Sequence, residues 1–563
     1  MIVSCFRGHM HLVSSKSKIV RTGLLLGMIT LTLPVAAQPT SGAGGDRNAR
    51  IDALEADLRR IESELKALRG DRPTPPGTSA SAATAAVPTS AATAIVGDKL
   101  AAEDLPVASG ATARRSGPKA PTTGAVASIV SGRPVIATTD GRFTANLLAV
   151  MQFDAADYYQ PGAGPLATDL RRGAATSDTA HARNLANGTN FRRARIGIGG
   201  KAFGDFEYTA LFDFGGAGVE DNGHIQELWL QYSGLRPAHI RAGAFPPFIG
   251  LEDAGSTNGM LFLERPASAD IARSLAGGDF REAAQVTVNT ERLFASGAIT
   301  GRLVNTAGSS AVQTYGSQQG FIGRLAALPY RDRDNLVHVG VHGSYVGHPA
   351  DSGGPDAGAG IARYVIQLRE RPELRVDGTR LIDTAAISAA HAFSVGAEAA
   401  AQHKNLMIQA EYEHFGVQRY ASPLSNPSFY GYYIEGSWLI TGETRRFNTG
   451  NYAFDGPVVG VFDPRTGQWG SVELAVRYSD INLNYHAGSA GSAPAADAVR
   501  GGDQRILSAG LNWYLNPIMR IMIDYQHVRI SRLSPNAATF LTPVGAEIGQ
   551  SYSTGAARVQ LAF

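Results

Sequence analysis

Cysteine is nearly absent from this chain. Its 563 residues hold one, Cys5, which lies before the first apolar run and so offers the rest of the chain no disulfide and no thiolate metal site. Lysine is almost as scarce. From Asp140 to Phe563 there are 33 arginines but only Lys201 and Lys404, and these 35 cations face 39 Asp plus Glu. That stretch has no basic excess, which argues against a nucleic-acid partner. Long apolar runs are missing too: Leu24–Leu33 is about half of the roughly 20 residues a membrane helix needs. Beyond Asp140 there is no sustained helical periodicity, although 44% of the chain is hydrophobic. The histidines stand singly (His224, His239, His391, His414, His527). His338 and His342 are four apart, which puts them on one strand face about 13 Å from each other by the rise per residue. No catalytic residue, metal site or cofactor is therefore assigned.

What remains begins with an address. Lys16, Lys18 and Arg21 precede Leu24–Leu33, and Val35-Ala36-Ala37 offers small residues before Gln38. This is the order of a secretory signal peptide over 1–37, with Met10 as an alternative start. In the next segment, 38–69, Ile51, Leu54, Leu58, Ile61, Leu65 and Leu68 are spaced alternately three and four apart, flanked by charge. This is a coiled-coil seam of three heptads, stable only if chains are already held together. Residues 70–135 are rich in Ala, Thr, Ser, Pro and Gly. They read as a disordered linker, because they cannot bury enough apolar surface to offset ordering entropy.

From 136 onward the period changes to two. Phe206, Tyr208, Ala210, Phe212 and Phe214 share one face, with Glu207, Thr209 and Asp213 on the other. Val472, Leu474, Val476 and Tyr478 alternate with Glu473 and Arg477. Gly555, Ala557, Val559, Leu561 and Phe563 alternate with Ala556, Arg558 and Gln560. Charges in mid-strand demand a wet interior, and aromatics gather at strand ends as they do at membrane interfaces. Seventeen segments alternate in this way. An outer-membrane barrel takes an even number, and 361–372, with its run Arg369-Glu370-Arg371-Pro372, is the weakest. The expectation is an all-β, 16-stranded antiparallel transmembrane barrel, with 18 as the alternative. Gly204 and Asn516-Pro517 would be periplasmic turns, and 160–189, 442–469 and 485–502 extracellular loops.

Several stretches resemble one family. Asn190-Phe191-Arg192-Arg193-Ala194-Arg195-Ile196-Gly197, Phe203-Gly204-Asp205-Phe206, Arg241-Ala242-Gly243-Ala244-Phe245-Pro246-Pro247-Phe248 and Phe262-Leu263-Glu264-Arg265-Pro266 look like strands and constriction loop of the phosphate-selective porins O and P. Arg371-Pro372-Glu373 and Gly396-Ala397-Glu398 match the distal half. The resemblance implies a homotrimeric outer-membrane porin narrowed by an inward-folded loop, passing small hydrophilic solutes and leaning to anions, with phosphate or polyphosphate among them. Where the family usually carries a lysine after this Phe, the chain has Pro246, so its anion contacts would rest on arginine.

By alternation Arg193 and Arg195 face inward, with Ile196 and Ile198 outward, as do Arg241, Arg477 and Arg520. A lipid-facing arginine near the midplane would cost roughly 2–4 kcal/mol. Arg192 or Arg241, nearer strand ends, could instead meet lipid headgroups. The expected loop residues Glu252, Asp253, Glu264, Arg265, Asp270 and Arg273 would oppose these arginines across the constriction. A second reading of the whole chain is structural: barrel as anchor, coil as tether between the outer membrane and the cell wall.

Overall fold

The computed structural model describes residues 124–130, 132–160, 184–217, 223–276, 281–304, 318–351, 362–535 and 543–563. The signal segment and the coiled-coil seam lie outside the described residues.

Sixteen strands form the wall. The first half comprises Thr144–Tyr159, Gly188–Ala202, Phe206–Asp213, His224–Leu235, Ala238–Ala244, Arg281–Asn289, Leu293–Leu303 and Gln319–Arg331. The second comprises Asn335–His348, Ile387–His403, Leu406–Arg419, Ser428–Leu439, Ser471–Tyr485, Val499–Asn516, Met519–Ser531 and Gln550–Ala562. Each pairs antiparallel with the next. The last then pairs with the first, from Ser553 opposite Tyr159 to Ala562 opposite Val150, and the barrel is closed. Segment 361–372 supplies only the two-residue strands Val365–Ile366 and Arg369–Glu370, so it is no wall strand.

The faces are the inverse of a water-soluble protein's. Along Val499–Asn516, Leu507 and Leu511 are exposed while Gln504, Ser508 and Asn512 are buried. Ile198, Leu230, Ile299, Val476 and Ile523 likewise point out. Apolar atoms outside and amides inside suit a wall with hydrocarbon around it and polar matter within. Among the described residues no helix is long and apolar enough to cross a membrane.

Two expectations are corrected. The linker is shorter at its C-terminal end than 70–135. Ala125–Val130 and Arg133–Thr138 form an antiparallel hairpin, and the second strand continues the wall by pairing with Thr144–Asn146. Val126, Ile129, Val130, Val135 and Ile136 supply the β-branched residues a strand favours. The other correction concerns 442–469. Successive antiparallel connections alternate between the two ends of a barrel, and this one falls at the end of the tight turns 404–405 and 517–518. It is a periplasmic-side segment, and it turns into the barrel rather than away from it: Tyr452 and Ala453 are fully buried.

The lumen is partly filled. Residues 245–276 fold inward and carry the helices Leu251–Ala254 and Ala267–Ala276. Pro266 stands at the start of the longer helix, where its missing N–H costs nothing. Ile271 and Leu275, one turn apart, pack with Leu368, Leu374 and Leu381 of segment 362–386 and with Phe415 and Ile481 of the wall. Burying two such side chains is worth about 1.5–3 kcal/mol each. A second cluster joins Leu251 and Phe262 of the loop to Phe294 of the wall and to Tyr452 and Phe454 of the periplasmic-side segment.

Candidate functional site

Irregular backbone inside a barrel must find hydrogen-bond partners, and here the wall provides them. Arg520 donates to the Met260 carbonyl at 2.8 Å, Asn512 to that of Leu261 at 2.9 Å, and Arg558 to that of Leu263 at 2.6 Å. Asp524 accepts from the Leu263 amide at 2.8 Å. Arg477 donates to the Glu264 carbonyl at 3.0 Å, and Arg445, from the segment between the wall strands Ser428–Leu439 and Ser471–Tyr485, donates to that of Gly259. The inward loop is therefore held residue by residue. Arg477 also pairs with Glu373 and, at 3.4 Å, with Glu435. Of the expected pore arginines, Arg477 and Arg520 are thus loop anchors.

Arg193, Arg195 and Arg241 are placed differently. They border a cavity of about 500 Å³ between the first strands of the wall and the loop. Arg195 binds Asp213 at 2.7 Å and Gln226 at 3.0 Å. Arg193 donates to Gln152 at 2.6 Å. Arg241 lies 4.2 Å over the Trp229 ring and donates to Gln231 at 2.9 Å. It has no carboxylate within salt-bridge distance among the described residues, so its charge is directed at the cavity. It does not meet lipid.

Arg192 faces inward as well, which alternation alone does not give. Arg193 stands opposite Gln152 and Phe191 opposite Phe153, so Arg192 is the extra residue of a β-bulge. It binds Glu264 at 2.6 Å. Glu264 gathers four guanidiniums: Arg558 at 3.0 Å, Arg375 at 3.4 Å and Arg193 at 3.7 Å complete the set. Burial opposes ionisation of Glu264, but the guanidiniums of Arg192, Arg193, Arg375 and Arg558 outweigh it and hold the carboxyl well below the usual carboxylate range.

The other loop residues divide. Asp253 pairs with Arg273 at 2.7 Å and with Arg265 at 3.7 Å, and all three border the cavity. Burial draws Arg273 down to about 10 against the pull of Asp253, so it stays charged at neutral pH. Glu252 is turned from the cavity and accepts from Gln409 at 2.9 Å. Asp270 binds Arg375. The loop thus brings its own cations, Arg265 and Arg273, to the passage; of its acids, Glu264 meets wall arginines, Asp253 pairs within the loop, Asp270 pairs with Arg375, and Glu252 accepts from Gln409.

Sequence reasoning missed Arg192, Arg375, Arg558 and Arg133 as members of this site. Arg558 was visible on the polar face of the final strand; Arg375 could be found only by folding segment 362–386 inward. In total, eight arginines border the cavity: Arg133, Arg192, Arg193, Arg195, Arg241, Arg265, Arg273 and Arg375. Three carboxylates, Asp213, Glu227 and Asp253, accompany them. A second cavity of about 650 Å³ shares Arg133, Ser256, Asn258, Asn451 and Phe563 with the first and reaches the tight-turn end beside Asn516 and Pro517.

The family model described as phosphate-selective porin O and P matches residues 173–553. The chain belongs to that family. Porin O of Pseudomonas aeruginosa (strain PAO1) is 25% identical over 373 residues, which cover 63% of this chain and 79% of that relative. Among solved structures, a loop L8 deletion mutant of OmpT from Vibrio cholerae is 7% identical with a TM-score of 0.42, covering 75% of this chain and 100% of its own. An anion-selective porin from Comamonas acidovorans is 10% identical with a TM-score of 0.38, covering 75% and 100%. This phosphate-selective-family porin is a protein of the outer membrane.

Proposed function

We propose that this porin conducts small anions passively through the arginine-bordered passage between the inward loop and the first strands. The observation that carries the reading is the excess of eight arginines over three carboxylates around the cavity. Arginine stays charged at all relevant pH and offers oxyanions a planar fork. Several weak sites in series let an ion enter and leave. Reversal potentials in asymmetric KCl test it: chloride should be the more permeant ion, and a cation preference would sink the proposal.

Phosphate is the oxyanion the family's description suggests, and guanidinium forks suit it. The cations around the passage are all arginines, most already engaged, so phosphate should block chloride current only weakly. The protein acts as a channel, not an enzyme. Lipid hydrocarbon is the partner of the apolar outer face, and a homotrimer held in part by the coiled coil over 38–69 is the assembly we favour. A structural tethering role for that periplasmic extension is compatible with conduction: deleting 50–69 would leave conductance intact if the coil only tethers.

A further inference from the structure

The far side of the lumen holds a cluster the passage does not use. His338 and His342, from Asn335–His348, meet Glu398 from Ile387–His403 and Glu411 and Glu413 from Leu406–Arg419, all of them buried. Their separation along one strand had set the two histidines apart, yet both reach Glu398. His338 Nε2 lies 2.9 Å from Glu398 Oε1 and His342 Nδ1 lies 3.2 Å from Glu398 Oε2. Donor atoms of His342, Glu398 and Glu411 all lie within 4.8 Å of one another.

We infer that His342, Glu398 and Glu411 bind a divalent first-row transition cation, such as zinc, that pins the start of the inward loop to the wall.

Three features favour a cation. The first is orientation. A metal-bound histidine characteristically donates its other ring N–H to a carboxylate, and His342 Nε2 sits 2.5 Å from Glu413 Oε1. Each carboxylate ligand is also held from behind. Arg324 binds Glu398 at 2.8 Å, and the Leu251 and Glu252 amides donate to Glu411. The second feature is charge. Three carboxyl groups, Glu398, Glu411 and Glu413, gather around His342 with one guanidinium, Arg324, bonded to Glu398, and a divalent cation would compensate the carboxylates that ionise there. Burying an uncompensated charge is costly. The third is space. Cβ atoms added at Gly250, Gly340 and Gly396 would come within 2.5 Å of Glu411 Oε1, 2.5 Å of Glu398 Oε1 and 2.2 Å of His342 Nε2. Glycines at these positions therefore let the two carboxylates and the imidazole lie against the backbone, where any larger residue would displace them. Glu413 Oε2 and His338 Nδ1 are buried without a hydrogen-bond partner among the described residues, so the polar capacity there is not exhausted by protein contacts. One imidazole nitrogen with carboxylate oxygens suits zinc, cobalt or manganese.

Because Glu411 holds the amides of Leu251 and Glu252, the ion would fasten the first turn of the loop that narrows the passage. The test uses the tag-free full chain, refolded into detergent with ZnCl₂ or with EDTA, desalted, and measured for bound zinc. The expected result is about one zinc per chain in the zinc-refolded protein. His342→Gln and Glu411→Gln should each retain at least fivefold less, with the folded, heat-modifiable band preserved. Zinc content equal in wild type and both folded variants would overturn the site. Should the variants fail to fold, wild-type protein loaded with cobalt decides by X-ray absorption: an imidazole nitrogen in the first shell supports the assignment, and a shell of oxygen alone overturns it.

Discussion

Arginines that look alike in sequence do two kinds of work. Arg195 borders the passage, whereas Arg477 is fully buried and holds the Glu264 carbonyl and Glu373. Arg195→Ala should lower the chloride-to-potassium permeability ratio by roughly two- to sixfold, the effect of a unit charge about 4–8 Å away in water. Arg477→Ala should leave the ratio nearer wild type but cost about 3–5 kcal/mol, since it strands buried Glu373. Reversal potentials and denaturant midpoints on the same two proteins separate the roles; equal selectivity loss in both would merge them. Glu264 tells a related story in pH. Its folded-state pKa is depressed, so its stabilisation is fully present above the unfolded value of roughly 4.3 and is lost as pH falls through the folded value. The unfolding midpoint should therefore hold as pH drops to about 5 and decline only in stronger acid. In Glu264→Gln the protein should be weaker at neutral pH and its acid decline shallower.

Elements were legible where one face met lipid and the other water. The strands from Phe206, Val472 and Gly555 announced themselves by alternation, because a two-residue period with opposite solvents leaves little freedom. Features that depend on pairing partners were not legible. The bulge at Arg192 exists only relative to Gln152 and Phe153. The periplasmic side of 440–470 followed from counting strands, not from its composition. Segment 361–372 looked like a poor strand, and the stretch 362–386 proved to be lumen filling, with Leu368, Leu374 and Leu381 as its apolar reason. The periplasmic-side segment meets the constriction loop through Arg445, which binds Glu473 at 2.8 Å and the Gly259 carbonyl. Arg445→Ala should loosen that junction. Single-channel records should then show a larger mean conductance or more open-channel noise, while unchanged traces would make the contact irrelevant to the passage.

For the whole molecule, the boundary between ordered and cleavable chain is the readiest check. The hairpin Ala125–Thr138 continues the wall through only three residue pairs, Val135 with Asn146, Ile136 with Ala145 and Ala137 with Thr144. Limited proteolysis should leave a heat-modifiable core beginning between 124 and 144. A resistant fragment starting before Gly70 would contradict the reading of 70–123 as a linker. Oligomeric state belongs to the same scale. Leu58→Asp with Leu65→Asp would place charges on the heptad seam and should weaken trimers in mild detergent without unfolding the barrel. Trimers of unchanged strength would remove the coil from the assembly.

The seam between Thr144–Tyr159 and Gln550–Ala562 joins segments about 400 positions apart, including the mutual backbone bonds of Ala149 and Phe563 at 2.9 Å. Until the final strand is present, the sheet has two open edges, each a template for pairing with another chain. Order of pairing therefore matters. No intermediate that lacks this seam is closed, and each must be shielded along both edges until Gln550–Ala562 meets Thr144–Tyr159.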